Sequence, residues 1–448
     1  MLSRENNELL CRVGPGTAMG ALMREYWIPA LPATEFPSPD SPPKRMRLLG
    51  ENLVMYRDSK GRMGAIAEAC PHRGASLYFG RNEECGIRCA YHGWKFDLDG
   101  NCIDAPTEPM ERRARFQATI KARAYPCRDV NRMVWIYMGA RSAPPPFPAF
   151  EINTLPYDHV AEPSIMMEEA NWLQNMEGDL DSAHLNFLHR RLKADSPKPE
   201  IGIRGFWSPD PDPPVLDVQP TGYGAYYTAK RRYRNNEDWH RINQFIFPFH
   251  TMITVGDGSV GLRSFVPLDD HYAMLMTQGA NPTRPLDEDE VGARAFSFEA
   301  LGGHVERGND PRGYFLTKAN KRNDYMRDRQ IEKETMFSGI PFIGNLQDRA
   351  MTELMCGADG EPLYDRTQEH LGSSDAQVAL VRRQLLDVVV AHRDQGRLPA
   401  NVEDVTLDRV RSASHIFPAG ADWRQLSAAS RDADSGAPVA ADVPLIIN

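Results

Sequence analysis

Cysteine is scarce in this chain, with seven among 448 residues, at positions 11, 70, 85, 89, 102, 127 and 356. The number is odd and the spacing uneven, which argues against a disulfide framework and fits a reducing cytoplasm. Long hydrophobic runs are missing as well. No stretch approaches the roughly 20 apolar residues that cross a bilayer. The first ten residues hold Arg4, Glu5 and Glu8, where a signal peptide needs an uninterrupted apolar core. Positive charge is not in excess either: 52 Lys and Arg stand against 61 Asp and Glu, a net charge of −9. Neither nucleic acid nor an anionic membrane is expected as a partner, because both reward a basic face. There is no internal repeat and no nucleotide-binding glycine loop.

The length suffices for two or three domains, each with its own core. Ser3 and Thr17 precede short mixed segments as hydroxyl caps and predict one or two helices within residues 1–45. From about Met46 the pattern turns to strands. Leu53–Tyr56, the turn Asp58–Gly61 and Met63–Ala67 read as strand, turn and strand, and Trp94–Ile103 as a hairpin turning at Asp99-Gly100. A small all-β domain is expected over 46–142, with flanking strands from about residue 27. It ends at the run Ser142-Ala143-Pro144-Pro145-Pro146-Phe147-Pro148, whose prolines favour an extended connector over 143–150.

A second domain is expected over 151–427. Glu168–Leu192 reads as mostly helical, and Tyr223–Tyr233, Asn243–Val255 and Gly261–Ala280 as strands. Ser374 with Gln377 three residues on suggests a capping box before a helix whose apolar face holds Val378, Val381, Leu385 and Val388. Residues 428–448 read as a loosely held tail.

Two constellations carry chemistry. The first is Cys70-Pro71-His72 followed, after 16 intervening positions, by Cys89-Ala90-Tyr91-His92. Each loop supplies one thiolate and one imidazole, and two imidazoles in place of two thiolates on one iron raise the potential of a [2Fe–2S] cluster. Composition alone would give both pairs together at roughly the 0.2% level. A structural zinc site also takes two Cys and two His, but it normally pairs Cys with Cys and His with His. Gly74, Gly80 and Gly93 would let backbone amides approach sulfur. Here the chain resembles the Rieske domain of the ring-hydroxylating oxygenases, in which Tyr91-His92-Gly93-Trp94 continues the second loop.

The second constellation is Asp181-x-x-His184-x-x-x-x-His189. Two imidazoles and one carboxylate on one face of Fe(II) leave positions open for dioxygen. Residues five apart lie about 140° out of phase on a helix, so His184 and His189 converge only across a bend or helix end. Asp181 is placed to accept the second ring proton of an iron-ligating histidine, with Asp179 a competitor and Glu177 a further partner.

The third ligand lies far downstream. The segment Ser338–Glu353 resembles the part of the phthalate-type oxygenases that carries it, which implies Asp348, with Glu353 as the alternative.

The resemblance runs from Asn7 to Gly372 and points to the phthalate dioxygenase-like branch. It implies an α+β architecture: an N-terminal all-β Rieske [2Fe–2S] domain, then a helix-grip (START-like) catalytic domain with an antiparallel sheet. It also implies an oxygenase component with one [2Fe–2S] cluster and one mononuclear Fe(II), acting on an aromatic compound with dioxygen. Electrons would come from NAD(P)H through a separate flavin and iron–sulfur reductase. The resemblance further implies a homotrimer or a stack of two, with Asp181 bridging a cluster histidine of one chain and an iron histidine of the next. An aromatic carboxylate is the expected substrate and a lignin-derived methoxylated acid the alternative. Arg204, Arg231, Arg232 and Arg241 lie in the expected pocket region without an assigned role.

Overall fold

The computed structural model describes residues 2–193, 212–254, 258–293, 303–341, 344–355, 363–403 and 406–435. Helix α1 (Arg4–Cys11) starts where the Ser3 hydroxyl accepts from the Asn6 amide at 3.1 Å. Helix α2 (Ala18–Arg24) starts likewise at Thr17, which accepts from the Gly20 amide at 3.2 Å. Both caps satisfy amides that a helix start leaves without partners.

The first β layer is a six-stranded antiparallel sheet in the order β1-β10-β9-β4-β3-β2. Its strands are β1 (Trp27–Pro32), β2 (Lys44–Leu48), β3 (Glu51–Arg57), β4 (Met63–Ala67), β9 (Ala124–Val130) and β10 (Met133–Tyr137). Beside it lies a four-stranded sheet of β5 (Arg81–Glu83), β6 (Gly86–Arg88), β7 (Lys95–Phe96) and β8 (Cys102–Asp104). The expected hairpins are both present, as β3–β4 and β7–β8. A separate small core of Val54, Tyr56, Ile66, Leu77, Ile87, Trp94 and Phe96 packs under the two cysteine loops. Helix α3 (Met110–Gln117) lies on β8.

The second layer is an antiparallel sheet in the order β11-β17-β16-β15-β14-β13-β12, with β18 also pairing β14. These strands are β11 (Ser164–Glu168), β12 (Val215–Pro220), β13 (Gly224–Arg232), β14 (Glu237–Ile246), β15 (His250–Met252), β16 (Val260–Pro267), β17 (Ala273–Ala280) and β18 (Ala413–Pro418). The long helix Ala376–Gln395 lies against β12 and β13, burying Val378, Val381, Leu385 and Val389. The helix Trp172–Leu180 packs on β16 and on the helix Asn345–Thr352. It buries Trp172, Leu173 and Met176, each worth roughly 1.5–3 kcal/mol. It thereby brings the segment after residue 180 to the segment around residue 348.

Several expectations are corrected. Glu168–Leu192 is not mostly helical: Glu168 ends β11, and the α-helix stops at Leu180, where Asp181 leaves in extended conformation. The long helix Ala376–Gln395 starts from Asp375, with Ser374 in a preceding 3-10 turn and no side chain capping its first turn. The strand expected over Asn243–Val255 is interrupted after Ile246, and β15 is a short separate strand paired to β14.

Helices α1 and α2 precede the first sheet in sequence but pack on the helix Ala376–Gln395. Glu177 ties this junction together: Arg366 reaches it at 3.0 Å, Arg382 at 2.6 Å, and Arg382 also pairs with Glu369. Burial raises the Glu177 pKa, but the two guanidiniums outweigh it and hold the carboxyl below its ordinary value.

Residues 428–435 are anchored, not loose, by the Arg409–Asp432 ion pair and the Arg411 amide to the Arg431 carbonyl. The remainder of the expected tail lies outside the described residues, as do Arg204 and Cys356. The six described cysteines are all free. No helix among the described residues is long and apolar enough to cross a membrane.

Candidate metal centres

The two cysteine loops are built alike. The Cys70 amide donates to the Ala75 carbonyl at 2.8 Å, and the Gly74 amide returns to the Cys70 carbonyl at 2.8 Å. In the second loop the Cys89 amide donates to Trp94 at 2.8 Å, and the Gly93 amide to Cys89 at 2.9 Å. Gly74 and Gly93 occupy the same place in each loop, at φ of 76° and 75°, a region where a side chain is strained. Two equivalent turns thus present two Cys-His pairs to each other.

Cys70 and Cys89 are both buried. Burial pushes the Cys70 thiol up to about 11, with the His72 amide opposing and the hydrogen-bonded Cys89 thiol adding to the rise. The His72 and His92 rings lie edge to face at 4.4 Å, half-exposed above the thiols. Trp94 stacks on His72 at 4.3 Å and 15°. Two buried thiols capped by two imidazoles fit an iron–sulfur cluster, whose positive irons would stabilise thiolates that burial disfavours.

The second centre forms across the helix end. Residues 184–186 make a 3-10 turn after the Trp172–Leu180 helix, so the chain bends between His184 and His189 as the phase argument requires. The two Nε2 atoms approach to 3.1 Å. Asp348 Oδ1, from the helix Asn345–Thr352, lies 3.0 Å from His189 Nε2 and 3.4 Å from His184 Nε2. The three ligand atoms all fall within 4.8 Å of one another. Asp348 Oδ1 is buried and has no hydrogen-bond donor among the described residues. Three converging acceptors with one buried oxygen unsatisfied fit a divalent cation.

The electrostatics agree. Burial lowers the His184 pKa, but Asp181 and Asp348 outweigh it and raise the group overall. Burial raises Asp348, and His189 followed by His184 pulls it below its ordinary value.

The outer partners are more asymmetric than the sequence indicates. Asp181 Oδ2 lies 3.4 Å from His184 Nδ1, and its Oδ1 accepts from the Ala183 amide at 2.6 Å. His189 Nδ1 faces Gln347 Oε1 at 2.6 Å. Arg231, buried on β13, donates to the Ser182 carbonyl at 2.5 Å and to Asn186 at 3.3 Å, clamping the turn that carries His184.

Asp179 does not compete for the site, because Arg263 holds it at 2.5 and 2.9 Å and Thr251 donates to it at 2.7 Å. Glu177 is committed to Arg366 and Arg382. Glu353 is buried away from the histidines, held by Arg349 at 2.6 Å, by the Tyr325 hydroxyl at 2.5 Å and by the Glu169 amide at 2.9 Å.

Gln347 and the clamp of Arg231 escaped the sequence reading, because their contacts span 158 and 49 residues. Arg241 of β14 also stands out. It is 7% exposed, its Nε has no hydrogen-bond partner, and it makes no ion pair among the described residues. Burial lowers its pKa, opposed by Tyr227, Asp179 and Asp348.

Comparison with known proteins places both centres in one family. Residues 26–122 match the Rieske [2Fe-2S] domain, and residues 136–444 match the LigXa C-terminal domain like family. The chain is 35% identical to the 3-chlorobenzoate-3,4-dioxygenase oxygenase subunit of Comamonas testosteroni, covering 94% of this chain and 97% of that one. It is 34% identical to the phthalate 4,5-dioxygenase oxygenase subunit of Pseudomonas putida, over 96% and 95%. The 5,5'-dehydrodivanillate O-demethylase oxygenase subunit of Sphingobium sp. (strain NBRC 103272 / SYK-6) is 31% identical, over 86% and 80%. In fold, the chain matches the oxygenase of a carbazole 1,9a-dioxygenase–ferredoxin complex with a TM-score of 0.54 at 17% identity, over 85% of this chain and 91% of that one. The chain belongs to the Rieske non-haem iron ring-hydroxylating oxygenases, as an oxidoreductase and a large (α) subunit of the phthalate dioxygenase-like branch.

Proposed function

We propose that this chain is the oxygenase component of a multicomponent system that hydroxylates an aromatic carboxylate with dioxygen and electrons from a separate flavin and iron–sulfur reductase. Cys70, His72, Cys89 and His92 would hold the [2Fe–2S] cluster; His184, His189 and Asp348 would hold Fe(II). Such an iron, when bound, supplies open positions for dioxygen and electrons for its reduction.

The protein's own part is placement. Gln347 and Asp181 fix the ring orientation of the two histidines, Arg231 holds the turn between them, and the buried surroundings limit water.

The observation that carries the substrate class is Arg241. A buried guanidinium without an ion-pair partner among the described residues, on the strand that faces His184 and Asp348 electrostatically, suits a substrate carboxylate held beside the metal. The relatives named for chlorobenzoate and phthalate oxidation support the same class.

A panel of benzoates and phthalates against their amides, with a compatible reductase and identified products, tests this. Carboxylates should be the productive substrates. Arg241→Met should lower kcat/KM for them by about a hundredfold or more, leaving neutral analogues little changed. Equal losses for acids and amides would count against the assignment.

A second reading is O-demethylation of a methoxylated aromatic acid, favoured by the relative named as a dehydrodivanillate O-demethylase oxygenase subunit. It keeps the role of Arg241 and predicts formaldehyde plus a phenol as products.

Asp181, whose side chain is 30% exposed beside His184, supports assembly as a trimer or a stack of two. The exposed side of that carboxylate would meet a cluster histidine of a neighbouring copy. The half-exposed His72 and His92, with Tyr91 at 60% exposure against His92, suit the opposite side of that contact.

A further inference from the structure

Helix α3 and its flank depart from the charge of the chain. Residues 110–123 hold Arg112, Arg113, Arg115, Lys121 and Arg123 against the single acidic Glu111, in a protein of net charge −9. From Trp27 to Tyr137 there are 17 Lys and Arg against 13 Asp and Glu, the reverse of the whole-chain balance of 52 against 61.

Arg112 and Arg115 are exposed and make no ion pair among the described residues. Arg113 instead folds back onto the carbonyls of Pro106 and Glu108. At the start of the helix Met110 is 80% exposed, and Ile103 on β8 is 44% exposed. Two exposed guanidiniums three residues apart lie on one flank of the helix and attract an acidic partner.

The inner face of α3 meets the cluster loops. Phe116 packs edge-on against Trp94 at 5.2 Å and 80°, and Trp94 stacks on His72 at 4.3 Å. The Trp94 indole N–H donates to Thr107 at 3.0 Å, which fixes the ring between helix and ligand. A molecule seated on α3 therefore lies two packed side chains from a cluster ligand.

We propose that the exposed flank of α3 that carries Arg112 and Arg115 is the docking surface for an acidic iron–sulfur electron carrier. This rests on the oxygenase reading above. The exposed tip at His72 and His92 is there assigned to a neighbouring copy, so the donor needs a different approach to the cluster. On α3 the carrier's reduced cluster gives up one electron and is oxidised, and the Rieske cluster accepts it and is reduced. Negative charge on the carrier matches the two free guanidiniums and accelerates encounter.

The test is stopped-flow reduction of the full-length, metal-replete protein by two donors at low salt: a reduced plant-type [2Fe–2S] ferredoxin, which is acidic, and the methyl viologen radical cation. Relative to wild type, Arg112→Glu/Arg115→Glu should slow ferredoxin reduction about tenfold or more and flatten its salt dependence. Reduction by viologen should stay the same or rise. The exposed pair Arg383→Glu/Arg397→Glu, which makes the same charge change elsewhere, should leave the ferredoxin rate near wild type.

Equal ferredoxin rates in the α3 variant and wild type, equal slowing by both donors, or no ferredoxin reduction of wild type would overturn the proposal. So would dissociation of the variant in sedimentation, which would make this face a contact between copies. Failure of the oxygenase reading shows separately, as no product from chemically pre-reduced wild-type enzyme with dioxygen and aromatic acids.

Discussion

Gln347 accepts the Nδ1 proton of His189 at 2.6 Å while its own amide donates to the Ile340 carbonyl at 2.9 Å. The second bond sets which end of the amide faces the imidazole. His189 is thereby held in the tautomer that leaves Nε2 free, and Nε2 is the atom that faces His184 and Asp348. The two histidines thus differ in their outer partner: a neutral amide for His189, a carboxylate for His184.

Gln347→Leu should lower affinity for a divalent metal, measured with Fe(II) or Co(II), by about 10–100-fold. The visible bands of the cluster should stay unaltered. Unchanged metal affinity would show that the amide has no hold on the ligand.

Asp348→Asn and Glu353→Gln should separate cleanly. The first removes a charged ligand and should weaken metal binding and turnover with little loss of stability. The second breaks the buried pair with Arg349 and should cost about 3–5 kcal/mol of stability. Metal titration and thermal melts read the two effects. Selective iron loss in Glu353→Gln would reverse the choice of third ligand.

Glu177 gives a pH prediction. Its folded pKa is depressed, so its contribution to stability is fully present above the unfolded value, about 4.3. That contribution is lost as pH falls from there through the lower folded value. Glu177→Gln should destabilise the protein near neutral pH by about 3 kcal/mol, because Arg366 and Arg382 lose their buried partner. The gap between variant and wild type should narrow in acid. A gap independent of pH would mean the loss is one of packing.

Asp181→Asn should keep both metals and the assembly yet nearly abolish turnover, since the amide cannot take up ring protons as the carboxylate does. Single-turnover reduction with metal analysis decides it. Fast electron transfer from cluster to iron in the variant, or a fully active monomer, would exclude the bridging role.

Much of this was legible in the sequence because the chemistry is local. The cysteine loops are five-residue turns whose histidines sit two or three positions from a cysteine, and the caps at Ser3 and Thr17 lie three residues from the amides they satisfy. The phase of His184 and His189 demanded a helix end, and one occurs at Leu180.

What sequence could not reveal is which charges pair across the fold. Asp179, Glu177 and Glu353 look like free carboxylates in the sequence. Their arginines lie as far as 84, 189 and 205 residues away for the first two, although only four residues away for Glu353. Arg231 and Arg241 look equivalent in the sequence, but one is spent on the backbone near His184 and the other has no partner among the described residues. The excess of helix expected after Glu168 arose because an apolar and acidic run resembles a helix until tertiary packing ends it.

The central claim is that two separate iron centres occupy this chain, and iron and acid-labile sulfide counts on wild type and His189→Ala test it most directly. The account predicts about three irons per two sulfides in wild type. The variant should fall to about two per two with its cluster absorption intact. A wild-type ratio of about one iron per sulfide, or bleaching of the cluster by His189→Ala, would contradict it.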